Sequence, residues 1–181
     1  NESGRKHLEE FTMLEFYSTG MNYLDLAHFT ANLVSELARR HGGTTLEYQG
    51  RLIDVDKVEF ITVEAAFQKY AGVSSFAAHA DDTFDEIMVT KVEPELGKNG
   101  LTFLTDYPLE RAALSRVSRR DPRVAERWEL YIDGLELANA FGELTDAAEQ
   151  KRRFAAANQV RKEQQMHVYP EPAEFYAALD H

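Results

Sequence analysis

The chain has 181 residues, 44% of them apolar and 28% charged, a length and balance that suit one domain with a sizeable core. Its lack of cysteine excludes a disulfide framework and thiolate metal sites and fits a cytosolic protein. No apolar run approaches the roughly 18 residues that span a bilayer, the polar N-terminus lacks a signal-peptide pattern, and a net charge of −11 argues against broad adhesion to phosphate backbones.

The opening stretch, RKHLEEFTMLEFY from Arg5 to Tyr17, predicts a β-strand. Strand alternation puts His7, Glu9, Phe11, Met13, Glu15 and Tyr17 on one face, with Leu8, Glu10, Thr12, Leu14 and Phe16 on the other. Two readings are open: an amphipathic strand with scattered surface charge, or a line of cation, aromatic plate, carboxylate and phenol that meets a ligand. Asn22, with Asp25 three residues on, opens a helix that runs to His41 and stops at Gly42-Gly43. His28, mid-helix with no partner at helical spacing, is read as a packed or solvated residue and not as a ligand. TTLEYQGRLID, Thr44 to Asp54, predicts a hairpin turning at Gln49-Gly50, and Thr62 caps a short helix through Tyr70 that ends at Gly72.

Val73 to Asp82 reads as a loop. The acidic cluster of Asp81, Asp82, Asp85 and Glu86 is assigned to the first turn of a helix over Thr83–Val92, where the helix dipole favours it, and not to a metal. Leu101 to Thr105 predicts a strand turned by Asp106-Tyr107-Pro108, and Arg111 to Arg120 a basic, solvated stretch. Val124–Ile132 and Leu135–Phe141 flank Asp133-Gly134, a strong hairpin signal. A helix starting near Thr145 and a short one after Pro170 and Pro172 complete the chain. Hairpins and meanders without regular βαβ alternation predict an α+β fold, a mainly antiparallel sheet flanked by helices on one side.

A two-residue turn at Asp133-Gly134 makes Glu129 and Glu136 diagonal neighbours on one face of the hairpin. Such a pair is tolerable in water, and useful where a divalent cation or polyphosphate-bound Mg²⁺ lies between the carboxylates. Asn139 and Glu143 share a face with each other, but simple pleating puts Glu136 opposite them unless a bulge between Glu136 and Asn139 resets the alternation.

HLEEFTMLEFY resembles motif 2 of class II aminoacyl-tRNA synthetases, in the form of the lysyl enzymes and their short paralogue that lysylates elongation factor P. Met13 stands where aspartyl enzymes usually carry Gln. GLELANAFGELTDAAEQKRRF is similar to the segment before motif 3. VEPELGKNGLTFLTDYPLERAALSR, DPRVAERWELY and ELTDAAEQ look closer to the paralogue. The resemblance implies an ATP-dependent ligase that forms lysyl-adenylate with Mg²⁺. His7, Phe11, Glu129 and Glu136 would then bind ATP, the two glutamates through the metal. Glu15, Tyr17, Asn139 and Glu143 would bind lysine or a lysine isomer. No residue is assigned as a nucleophile or general base, because positioning and charge neutralisation carry such a reaction.

The implied acceptor is elongation factor P, with tRNA-Lys as the alternative, and the implied setting a cytoplasmic homodimer with no membrane association. Residues 1–181 would form a single catalytic domain without motif 1, motif 3 or the arginine that opens motif 2, and would form adenylate poorly by themselves. A different class of reading, a non-catalytic nucleotide- or partner-binding piece of the same fold, stands beside it.

Overall fold

The two central strands carry apolar side chains on both faces, so their sheet needs cover on both sides. The computed structural model describes residues 10–180 and supplies that cover. The elements in chain order are α1 (Tyr23–Arg40), β1 (Thr45–Tyr48), β2 (Arg51–Asp54), β3 (Val58–Thr62), α2 (Val63–Ala71), α3 (Ser75–Ala80), α4 (Phe84–Ile87), β4 (Leu101–Pro108), β5 (Val124–Ile132), β6 (Leu135–Phe141), α5 (Ala147–Glu163) and α6 (Ala173–Leu179). The main sheet has the order β3-β4-β5-β6, and β1 and β2 form a separate hairpin. Only β3 and β4 run parallel; the β4–β5 and β5–β6 pairs are antiparallel.

Leu101, Phe103, Trp128, Leu130 and Ile132 bury one face of the sheet against Tyr23, Ala27, Ala31 and Ala38 of α1. The small alanines let α1 approach closely, and the Trp128 indole N–H donates to the Tyr23 carbonyl at 2.7 Å. The Asn22 side chain accepts from the Leu24 and Asp25 amides, satisfying two of the helix's unpaired donors. On the opposite face Leu104, Tyr107 and Tyr131 pack with Val63 and Phe67 of α2, Phe84 of α4 and Met88. Helices therefore cover both faces, not the single face expected, because β4 and β5 carry apolar side chains at odd and even positions alike.

Several local expectations are corrected. Residues 73–82 contain helix α3, whose start is capped from a distance: Glu64 of α2 accepts from the Ser75 amide at 2.7 Å and from the Ser74 and Ser75 hydroxyls. The helix over Thr83–Val92 is α4 followed by a wider π turn at Met88–Val92. Asp106-Tyr107-Pro108 does not end its strand. The ladder shifts between Thr105 and Tyr107, where Asp106, at φ 57°, stands opposite two residues of β5, and β4 continues to Pro108.

The largest correction is at the N-terminus. Of the stretch read as a strand, Arg5 to Glu9 lie outside the described residues, and residues 10–17 form no strand. Phe11, Leu14 and Tyr17 are exposed, and Phe16 meets Phe29 of α1 edge-on. Alternation is a fit to a pleated, half-buried surface; without a neighbouring ladder it does not make a strand.

Candidate active site

The two-residue turns expected at Gln49-Gly50 and Asp133-Gly134 both form, each with two consecutive positive φ values. The second turn is clasped from outside. Asp133 and Gly134 donate their amides to the carbonyls of Gly97 and Leu96, at 3.0 and 2.8 Å. Arg51 of the small hairpin binds the Asp133 carboxylate at 2.5 Å.

From the turn, Ile132 pairs with Leu135 and Tyr131 with Glu136; the register then shifts, so that Leu130 faces Ala138 and Glu129 faces Asn139. Leu137 is the extra residue of a bulge. This is the reset that the spacing of Glu136 and Asn139 requires, and it puts Glu129, Glu136 and Asn139 on one face. The Asn139 amide accordingly donates to Glu136 at 3.3 Å.

Glu129 is 7% exposed, and both of its carboxylate oxygens have partners. One carboxylate oxygen, Oε2, accepts from Tyr107 Oη at 2.5 Å and Tyr131 Oη at 2.6 Å. The other, Oε1, forms an ion pair with Arg127, whose guanidinium also donates to the Arg111 carbonyl and lies 4.4 Å from the centre of the Tyr107 ring. Burial, reinforced by the Glu129 charge, raises both phenols well above the ordinary tyrosine range, so both remain proton donors. Glu136 is also raised, first by desolvation and then by the charge of Glu129. Glu143, beyond the end of β6, is bridged to Ser115 through its backbone and is raised by burial alone.

Of the residues expected to bind ATP or lysine, the fold thus unites Glu129, Glu136 and Asn139 and places Glu143 two residues past the end of β6. Phe11, Glu15 and Tyr17 lie on the exposed N-terminal segment, and His7 falls outside the described residues. Arg127 and Tyr131 were missed, although each stands two residues from Glu129 and strand alternation alone puts them beside it. Tyr107 carried no such signal, since its approach follows the register shift at Asp106.

The donor set fits a divalent cation. Glu129 and Glu136 share a face, and a carboxylate offers about four lone-pair sites, of which Glu129 uses three. Among the described residues no group of three or more His, Asp and Glu side chains is placed to hold a metal by itself, so nucleotide phosphates would have to complete the shell. A separate cavity of about 400 Å³, lined by Lys57, Lys69, Tyr70, Lys98 and Asn99, contains none of the expected site residues. Its three lysines are paired with Asp54, Glu59 and Glu95. No helix among the described residues is long and apolar enough to cross a membrane.

The chain is 36% identical over 187 residues to an elongation factor P–(R)-β-lysine ligase of Edwardsiella ictaluri, covering 99% of this chain and 58% of that protein. It is 35% identical over 186 residues to the protein of the same name from Proteus mirabilis, covering 99% and 57%. A lysine–tRNA ligase of Methylobacillus flagellatus is 38% identical over 173 residues, covering 83% of this chain and 34% of that enzyme. The chain thus spans less than two thirds of the length of these relatives. The model of the class II tRNA synthetases (D, K and N) matches residues 1–178, and the chain belongs to that family.

Proposed function

We propose that this chain is part of a ligase that activates lysine, or a lysine isomer, with ATP and passes the lysyl group to a lysine of elongation factor P. The observation that carries the reading is the bulge at Leu137, which brings Glu129, Glu136 and Asn139 to one face. The names of the two relatives that align with 99% of the chain support the acceptor.

The lysine carboxylate attacks the α-phosphorus of ATP, the bond to the β-phosphate oxygen breaks, and lysyl-adenylate and pyrophosphate result. Magnesium, when bound, would neutralise phosphate charge, with Glu129 and Glu136 as its protein ligands. Phe11 stacks on adenine and His7 meets the phosphates. Glu15, Tyr17, Asn139 and Glu143 surround the lysine side chain, two carboxylates offsetting the desolvation of an alkylammonium. A neutral side chain of the same length would leave those charges unpaired, which is the basis of selectivity. The active form is a homodimer of the complete protein.

The test is ATP–pyrophosphate exchange by the full-length protein with lysine and β-lysine, followed by transfer to purified elongation factor P and to tRNA-Lys. Amino-acid-dependent exchange with labelling of elongation factor P is expected. Exchange without either lysine, or faster charging of tRNA-Lys than of elongation factor P, would overturn the reading.

A further inference from the structure

Tyr107 and Tyr131 point hydroxyls into a layer otherwise filled by Leu104, Val63, Phe67, Phe84 and Met88. Phenylalanine would bury the same ring without a polar atom to satisfy, so packing alone does not account for two phenols here. Both donate to one atom, Glu129 Oε2, at 2.5 and 2.6 Å. They arrive from different strands. Tyr131 is two residues along β5 from Glu129, whereas Tyr107 reaches it from β4 just past the register shift at Asp106, a non-glycine residue held at φ 57°. Arg127 engages the other oxygen, Oε1, from the same strand.

The two oxygens of Glu129 are therefore not equivalent. Oε2 is committed to the two phenols, and the remaining free lone pair is on Oε1, beside the guanidinium. We infer that Tyr107 and Tyr131 are positioning residues that lock Glu129 so that Oε1 is the oxygen presented to nucleotide-bound magnesium, an inference that rests on the proposed ATP site. A glutamate with a free torsion would visit orientations that turn this lone pair away from the ligand. Fixing it through partners that do not touch the ligand is how outer hydrogen bonds tune a metal site.

The experiment compares Tyr107→Phe, Tyr131→Phe, the double variant and Glu129→Gln in the full-length protein. Binding of ATP with Mg²⁺ is measured by calorimetry in the absence of lysine, alongside melting temperature and the KM for lysine in pyrophosphate exchange. The double Phe variant is expected to weaken Mg²⁺-ATP binding by about 10- to 100-fold, the range for loss of outer-shell partners, with each single variant between it and the parent. The lysine KM should stay within about twofold, since uniform loss of substrate binding is the mark of a general defect. If Glu129→Gln weakens Mg²⁺-ATP binding and the double Phe variant does not, the positioning role is wrong while the ATP site stands. If Glu129→Gln itself binds Mg²⁺-ATP like the parent, both are wrong. Parallel loss of Mg²⁺-ATP binding, lysine KM and melting temperature in the Phe variants would make the phenols merely structural and overturn the inference.

Discussion

The clasp on the β5–β6 turn can be tested by placing a methyl group in it. Gly97 sits at φ 71°, and a Cβ there would lie 2.6 Å from Ile132 Cα, 2.6 Å from the Tyr131 carbonyl oxygen and 2.8 Å from the Asp133 nitrogen. All three are backbone atoms, so no side chain can swing aside. Relief requires the loop to move off the turn, lengthening the bonds from Asp133 N to Gly97 O and from Gly134 N to Leu96 O. The left-handed conformation costs an alanine about 1–2 kcal/mol, and two lost hydrogen bonds cost about 0.5–1.5 kcal/mol each, so Gly97→Ala should destabilise by roughly 2–5 kcal/mol. Gly72, which ends α2, is the control: its φ is 70° and a Cβ there meets nothing within 4 Å. Gly72→Ala should therefore cost only the conformational part, about 1–2 kcal/mol. Urea denaturation followed by fluorescence of Trp128, the chain's only tryptophan and 2% exposed, reads both variants. Because the turn sets the hairpin that carries Glu129 and Glu136, Gly97→Ala should also weaken Mg²⁺-ATP binding, and Gly72→Ala should not. Equal destabilisation by the two substitutions would show that the loop yields freely and that the clasp does not hold the site.

Other outcomes follow from single contacts. Glu64→Ala removes the carboxylate that binds the Ser75 amide and the Ser74 and Ser75 hydroxyls; it should cost about 1–2 kcal/mol in urea denaturation, and Glu64→Gln less. Tyr23→Phe breaks the 2.5 Å bond from the phenol to Asp106, and a loss of about 1–3 kcal/mol is expected, read as a lowered urea midpoint with unchanged slope. Hydrogen bonds from Arg152, then Arg153, pull the Glu149 carboxyl down to about 2 from an ordinary 4.5. A depressed folded value means that this contribution is present above pH 4.5 and lost as pH falls from there toward 2. Glu149→Gln should therefore cost about 1 kcal/mol at pH 7, after allowance for solvent screening, and progressively less as the pH falls through about 2; a pH-independent difference would refute the ion-pair origin.

What could be read in the sequence was whatever a few neighbouring residues decide. Asn22 announces α1 because its side chain caps amides two and three residues on, and Gln49-Gly50 and Asp133-Gly134 announce hairpins because both residues of each pair accept positive φ. The strand boundaries Val124–Ile132 and Leu135–Phe141 follow from such turns and hold in the structure. Where the deciding partner is remote, the signal vanished. Helix α3 owes its start to Glu64, 11 residues upstream of Ser75. The parallel pairing of β3 with β4 joins segments more than 40 residues apart, Val58 lying against Leu101.

The site divides along the same line, and the division has a physical cause. Alternation fixes which residues share a face once a segment is a strand, which is why Glu129, Arg127 and Tyr131 form one row whatever else happens. It cannot say whether a segment finds a neighbour to complete its hydrogen bonds, and residues 10–17, with the same alternating look, stay outside the sheet. Bulges fall between these cases. The bulge at Leu137 was visible as a conflict, since Glu136 and Asn139 stand an odd number of residues apart yet their chemistry belongs on one face. The bulge opposite Asp106 raised no conflict, because nothing in the sequence required Tyr107 to meet Glu129. A bulge can therefore be inferred from sequence when two functional residues are out of phase on one strand. When it serves to bring a supporting side chain from the next strand, only the folded sheet reveals it.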